Sequence, residues 1–550
     1  MAITPAARPM SAEHKKVIFA SSLGTVFEWY DFYLYGSLAL IIARQFFSGL
    51  DDNAAFVFTL LAFAVGFLVR PLGALVFGRL GDMVGRKYTF LVTILIMGLT
   101  TFMVGILPNF ESIGVAAPVI LIALRLMQGL ALGGEYGGAV TYVAEHAPPG
   151  RRGAYTAWVQ STATLGLLLS LVVILGTRAV VGDAAFEDWG WRVPFLLSIV
   201  LLAVSIYIRL QLDESPAFSR LKAEGRISKK PLTESFGRWK NLKVVLVALL
   251  GLTAGQAVIW YTGQFYALFF LTQTLKVDGV TASLMVALSL VIGTPFFILF
   301  GTWSDKLGRK PFIMAGCLLA ALTYFPVFTA LTAAANPALA AAQAANRVTL
   351  TADPAQCSFQ FNPTGTTQFI SACDLAKQAL ARASVSYDHL PGVAGAPAVI
   401  AVGPTRLNSH SAQGLTPREA QVQAEVFEQA LTDALTQAGY PDQADMTQFD
   451  KPKVLALLTY LVVLVAMVYG PLAALLVEMF PTRLRYTSLS LPYHLGNGWF
   501  GGLLPTMAFA IVAQTGNMYN GLWYPVIVAA MTFVVGMLLV KETRGVDMDA

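Results

Sequence analysis

Charge is scarce in this chain. Lys, Arg, Asp and Glu together supply 13% of its 550 residues, about half the share typical of a soluble domain. Cysteine is rarer, at three residues without metal-ligand spacing, and no nucleophile–base set stands out. These shortages argue against a soluble enzyme and against a metal centre. No basic patch calls for nucleic acid as a partner either. The chain is apolar instead: 56% of residues are hydrophobic and the mean hydropathy is +0.62. A helix needs about 20 apolar residues to cross a bilayer, and such runs recur through both ends of the sequence.

Twelve spans are expected near 17–43, 54–77, 88–108, 117–143, 154–179, 192–211, 244–273, 280–302, 311–332, 452–478, 486–513 and 520–540. The N-terminus is polar to Lys16 and the first apolar run is long, which does not fit a cleavable leader. A basic loop from Arg209 to Lys243 holds nine Lys or Arg. With the N-terminus inside, 24 of the 37 Lys and Arg fall on the cytoplasmic side, as the positive-inside rule requires. Both termini are then cytoplasmic.

An internal repeat divides the chain. FGRLGDMVGRK (77–87) aligns with FGTWSDKLGRK (300–310), placing Asp82 and Asp305 223 residues apart. EHAPPGRRGAY (145–155) and EMFPTRLRYTS (478–488) each place Arg seven residues after Glu, and these copies lie 333 apart. The second half therefore carries about 110 extra residues between Asp305 and Glu478. The expected organisation is an N-terminal half (1–211), a cytoplasmic linker (212–243), a second half in two parts (244–332 and 451–550), and an extracytoplasmic inserted domain (333–450). The insertion holds five Lys or Arg against ten Asp or Glu. One helix is expected over 416–439, with Thr416 and Glu419 as a capping box. Cys357 and Cys373 share this oxidising side, and a disulfide between them is one expectation. Cys317 is read as a packing residue.

GRLGDMVGRK (78–87) resembles the loop signature of the major facilitator superfamily, and GTWSDKLGRK (301–310) its second copy. RLMQGLALGGEYGG (125–138) resembles the superfamily's fourth-span motif. Together with FEWYDFYLYG (27–36), LDESPAF (212–218) and GNGWFGG (496–502), these are similar to the metabolite:proton symporter branch. The resemblance covers nearly all of the chain except 333–450. It implies an all-α membrane protein of twelve helices in two pseudo-symmetric six-helix halves, in a bacterial-type inner membrane. It further implies import of a small polar metabolite, such as an organic acid or betaine, with the proton as coupling ion and no other cofactor. No obligatory protein partner is implied. A facilitator, a proton antiporter and a substrate sensor on the same scaffold are the alternatives.

The candidate residues follow from where charge sits in apolar surroundings. Asp82 with Arg86, and Asp305 with Arg309, read as latches, each aspartate accepting hydrogen bonds at a neighbouring helix N-terminus or pairing with arginine. Gly78, Gly81 and Gly85 are expected to provide sharp backbone angles. Glu145 with Arg152, and Glu478 with Arg485, read as symmetric gating networks. Glu28 and Asp31 lie three residues apart on one face of span one, Asp31 roughly 20 Å along a core of about 30 Å. Two acids on one face need a proton or a cation. Since the resemblance makes spans one and four neighbours, an Asp31–Arg125 pair is expected, with Glu28 or Glu135 carrying or relaying the proton. Arg70 is expected to snorkel near the cytoplasmic interface. For the substrate, the candidates are Arg125, Gln160, Gln256, Trp260, Tyr261, Gln264, His494 and Asn497, with Gln256, Trp260 and Gln264 on one face at spacing four.

Overall fold

The computed structural model describes residues 12–48, 65–148, 150–211, 214–360 and 369–546. Part of the expected second span, 54–64, lies outside the described residues. Membrane helices run over Ala12–Ser37 with Ala39–Phe46 (span one), Arg70–Met83 (two), Arg86–Ile106 (three), Ala116–His146 (four), Arg152–Val181 (five) and Arg192–Leu210 (six). The second half runs over Trp239–Thr274 (seven), Gly279–Leu307 (eight), Lys310–Ala335 (nine), Lys451–Met479 (ten), Arg485–Thr515 (eleven) and Asn520–Leu539 (twelve). Among the described residues, ten helices are long and apolar enough to cross a membrane. Span one, whose helix holds Glu13, Glu28 and Asp31 along with several Ser and Tyr, is more polar, and span two is described only in part.

The halves meet through equivalent elements: span five packs on span eight, and span two packs on span eleven. Each half also keeps a sharp turn at the same place in the repeat. Gly85 and Gly308 have φ of 140° and 106°, a region open to glycine and strained for other residues. Gly78 and Gly81 do not turn the chain, contrary to expectation. Both lie inside the span-two helix and serve close approach, for a Cβ on Gly78 would meet Thr487 and one on Gly81 would overlap the Tyr486 ring. In span four, Gly129 and Gly133 likewise let the backbones of spans two and four touch.

Spans seven and eleven are not regular helices. Span seven contains π-turns at Leu249–Thr253, Thr262–Tyr266 and Phe270–Thr274, and span eleven one at Gly496–Gly501. Such turns shift every side chain that follows them and often mark functional positions.

Between spans nine and ten the chain builds a small α/β unit. Strands β1 (Val348–Ala352), β2 (Tyr387–Pro391), β3 (Val399–Val402) and β4 (Thr405–Asn408) form one sheet in the order β2-β1-β3-β4. β1 and β2 are parallel, joined through a helix over Ala372–Arg382, and the other pairings are antiparallel. The helix over Pro417–Gln437 starts with the expected Thr416–Glu419 capping box, and Cys357 is joined to Cys373. The unit stands on the second half: Tyr387 N–H donates to Gly516 O at 2.8 Å, Ser384 Oγ to Gln273 O at 2.7 Å, and Asp450 N–H to Ala334 O at 2.9 Å. These contacts define an insertion end of the bundle, and the repeated loop motifs define the opposite, latch end.

Candidate functional site

At the latch end, each motif aspartate caps a helix of the other half. Asp82 Oδ2 accepts the Thr487 N–H at 2.9 Å and the Thr487 hydroxyl at 2.7 Å, at the start of span eleven. Asp305 accepts the Gly153 and Ala154 N–H groups at 2.9 and 2.8 Å, at the start of span five. A helix N-terminus leaves its first N–H groups unsatisfied and carries partial positive charge, which a carboxylate meets on both counts. Arg86 and Arg309 steady the aspartates from one turn away, at 3.2 and 2.8 Å.

The gating pairs exchange partners between the halves. Arg485 lies 3.1 Å from Glu145, and Arg152 lies 3.4 Å from Glu478, so neither glutamate takes the arginine seven residues after it. Arg309 adds a second cation to Glu478 at 3.1 Å. Two further residues complete the symmetry: Ser215 Oγ donates to Glu145 and Thr543 Oγ1 to Glu478, at 2.5 and 2.6 Å. Their neighbours Glu214 and Glu542 accept the first N–H groups of spans three and nine. The signal was present as Glu-Ser at 214–215 and Glu-Thr at 542–543, one copy per half. Because the two aspartate caps and the two Glu–Arg pairs cross between the halves, the latch end is closed. Replacing Asp82 with Asn removes a charged acceptor from two hydrogen bonds, an effect of about 1.5–3 kcal/mol. That moves the balance between closed and open forms by about 10–100-fold. Transport is expected to slow while membrane yield stays unchanged. A variant transporting at the wild-type rate would remove the latch role.

Deeper in the bundle lies a small enclosed cavity bordered by Trp29, Arg70, Glu135, Tyr136, Tyr493 and His494, with room for little more than a water. Arg70 is 1% exposed, so its expected place at the interface is corrected. It starts twelve residues, roughly 18 Å of helix, before Asp82, too far for its side chain to reach that end. Its guanidinium lies 4.3 Å from the ring centroids of both Phe32 and Phe67. Arg70 Nε and Nη2, Glu135 Oε1 and both ring nitrogens of His494 have no hydrogen-bond partner. Buried polar atoms left in this state are costly, and here they surround one space.

Aromatic layers close that space on both sides. Toward the insertion end, Tyr33 stacks on Trp260 at 5.9 Å, Tyr33 meets Phe265 at 5.5 Å, and Phe67 meets Tyr261 at 5.7 Å. Toward the latch end, Tyr136 stacks on Tyr493 at 3.3 Å, and the Tyr493 and Tyr469 hydroxyls are 2.6 Å apart. Each layer takes residues from both halves.

Of the expected substrate residues, His494 borders the cavity, and Trp260 and Tyr261 form its lid. The others are turned elsewhere. Arg125 donates to Gln128 Oε1 at 2.6 Å and lies over the Tyr35 ring at 4.2 Å. Gln256 and Asn497 bond to each other at 3.1 and 3.4 Å, Gln160 donates to Tyr469 O at 2.8 Å and Gln264 to Thr164 Oγ1 at 3.3 Å. Gln256 and Gln264 therefore do not share a face, because the π-turn at Thr262–Tyr266 breaks the period between them.

The two acids of span one do share a face, but it looks onto span six. Asp31 Oδ1 accepts the Ser198 hydroxyl at 2.6 Å, and Glu28 Oε1 lies 3.0 Å from Arg209 Nη1. The expected Asp31–Arg125 pair does not form. Arg209, counted among the loop cations, is 1% exposed. Helical side chains lean toward the N-terminus of their helix, so an arginine at the last turn of span six reaches back into the bundle.

Two repeated halves are latched at one end around a central cavity. Residues 16–235 match the family of sugar (and other) transporters. The chain is 34% identical over 327 residues to a proline/betaine transporter of Escherichia coli K12, covering 57% of this chain and 64% of that protein. It thus spans just under two thirds of that relative. It is also 34% identical over 340 residues to the alpha-ketoglutarate permease of the same organism, covering 61% of this chain and 77% of the permease. Identity to the E. coli K12 shikimate transporter is 35% over 325 residues, covering 58% and 73% of the two chains. The fold matches the proton:xylose symporter XylE bound to 6-bromo-6-deoxy-D-glucose with a TM-score of 0.65 at 15% identity, covering 98% of both chains. The chain belongs to the major facilitator superfamily, a superfamily of transporters rather than enzymes.

Proposed function

We propose that this protein imports a small carboxylate-bearing metabolite together with protons, by alternating access. The observation that carries the reading is Arg70, whose buried guanidinium keeps two N–H-bearing nitrogens without partners at the edge of the central cavity. A carboxylate satisfies such a fork better than a neutral group does. The names of the relatives support the class, since proline, betaine, alpha-ketoglutarate and shikimate all bear a carboxylate. Glu135, with a free oxygen on the same cavity, favours a second reading in which the substrate also carries a positive group.

Asp31 takes the coupling role. Its carboxyl is buried and bonded to Ser198, and no Lys or Arg among the described residues stands within ion-pair distance of it. An unpaired carboxylate in such a place costs several kcal/mol, so the closed form holds the proton there. A plain facilitator has no use for this group. The loop cations support a cytoplasmic latch end, and the Cys357–Cys373 disulfide suits the opposite side. The membrane is then the cytoplasmic one, with substrate and proton as the only small partners.

A competition panel tests the reading. Free acids and zwitterions are expected to inhibit uptake of a labelled carboxylate, while their methyl esters do not. Esters competing as well as acids would rule out a carboxylate anchor.

A further inference from the structure

Span six supplies both partners of the span-one acids. Ser198 and Arg209 are eleven residues apart, three helical turns, and so lie along one stripe. The slot for Arg209 is built: its guanidinium lies 3.4 Å from the Phe90 ring centroid, and a Cβ on Gly24 would stand 2.6 Å from its Nη2. A side chain at position 24 would have to displace the guanidinium from this place. The charged and titratable groups nearby are few. Lys87 of span three and Tyr142 of span four border the space beside Arg209. Tyr486 of span eleven faces both Arg209 and Glu28. Tyr30 is engaged with Pro194 O at 2.7 Å, span five meets span one through Gly166, and Arg125 is held by Gln128 and Tyr35. Glu28 is therefore the carboxylate in contact with Arg209, and Asp31 the one facing a hydroxyl.

We propose that Arg209 is a positioning residue for proton coupling: it keeps Glu28 ionised, so that Asp31 alone gains and loses a proton during the cycle. The inference rests on the proton-coupled reading above. Two acids three residues apart otherwise titrate as a coupled pair, with the proton shared between them. Arg209 breaks that symmetry by giving one acid a permanent cation, while Ser198 gives the other a hydrogen bond that serves both its protonated and ionised forms.

The test is the pH profile of uptake in the full-length protein reconstituted in liposomes. In Arg209→Met, Glu28 loses its cation and competes for the proton. The midpoint of the profile is expected to rise by about one pH unit or more, the usual scale for removing a charge at this distance. Glu28→Gln combined with Arg209→Met removes both charges and leaves no orphan, so the wild-type midpoint returns. Arg209→Lys, which keeps a cation, stays near wild type. An Arg209→Met profile that does not move, or a double variant displaced as far as the single, overturns the inference. Should Arg209→Met fail to reach the membrane, a displaced midpoint in the double variant alone overturns it. An Asp31→Asn arm separates the two claims. Accumulation surviving in that variant refutes the coupling role of Asp31 on which the inference rests, whereas its loss together with an unmoved Arg209→Met profile refutes the role of Arg209 alone.

Discussion

Asp31→Asn is expected to abolish proton-driven accumulation while preserving exchange of substrate across the membrane. With one proton per substrate, a gradient of one pH unit sustains about tenfold accumulation. The variant should bring that ratio to unity. Asparagine keeps the size of the side chain and a carbonyl that still accepts from Ser198 Oγ, now 2.6 Å from Asp31 Oδ1, so the site stays packed. What it loses is the choice between a charged and a neutral form. The carrier can then cross between its two open states at any pH, and no proton is tied to the crossing. Counterflow of labelled against unlabelled substrate reads the retained step, and uptake under an imposed gradient reads the lost one. Accumulation that persists in the variant would move the coupling role away from Asp31.

Arg70→Gln carries the second large effect. The residue sits against Phe32 and Phe67 and borders the cavity, so a substrate carboxylate there is fully desolvated. Truncating one side of a buried charge pair costs about 2–5 kcal/mol, which corresponds to a loss of affinity of about 30-fold or more. Arg70→Lys keeps the charge but not the planar fork, and should recover part of the binding. Equilibrium binding to the detergent-solubilised variants measures both. Affinity unchanged in Arg70→Gln would place the substrate elsewhere.

The two halves were legible because duplication leaves a mark that needs no alignment beyond the chain itself. The offsets between Asp82 and Asp305 and between Glu145 and Glu478 located the insertion, and the structure puts an α/β unit between Pro337 and Asp450. Only one of its helices was readable, because its strands span four or five residues, too short for a period to show. The motif aspartates were legible as helix caps for the same chemical reason that they are caps. Partners were not legible. Glu145 and Arg152 are close in sequence, yet each pairs across the interface with the equivalent residue of the other half's copy. Arg70 and Arg209 were both assigned to span ends, but Arg70 starts twelve residues before the motif aspartate of its helix, and Arg209 leans back along span six toward the bundle interior. The face shared by Glu28 and Asp31 followed from helical spacing, whereas the helix it meets depends on a rotation about the axis that one sequence does not encode locally. Gln256 and Gln264 were misplaced by a π-turn, which has no composition signal.

The most direct test follows substrate and proton together in liposomes holding the purified protein, with an internal pH indicator, a labelled carboxylate and an inward pH gradient. Substrate entry accompanied by internal acidification, both removed by a protonophore, is the predicted result. Entry that leaves internal pH unchanged, or that is driven only by an outward proton gradient, would contradict proton-coupled import.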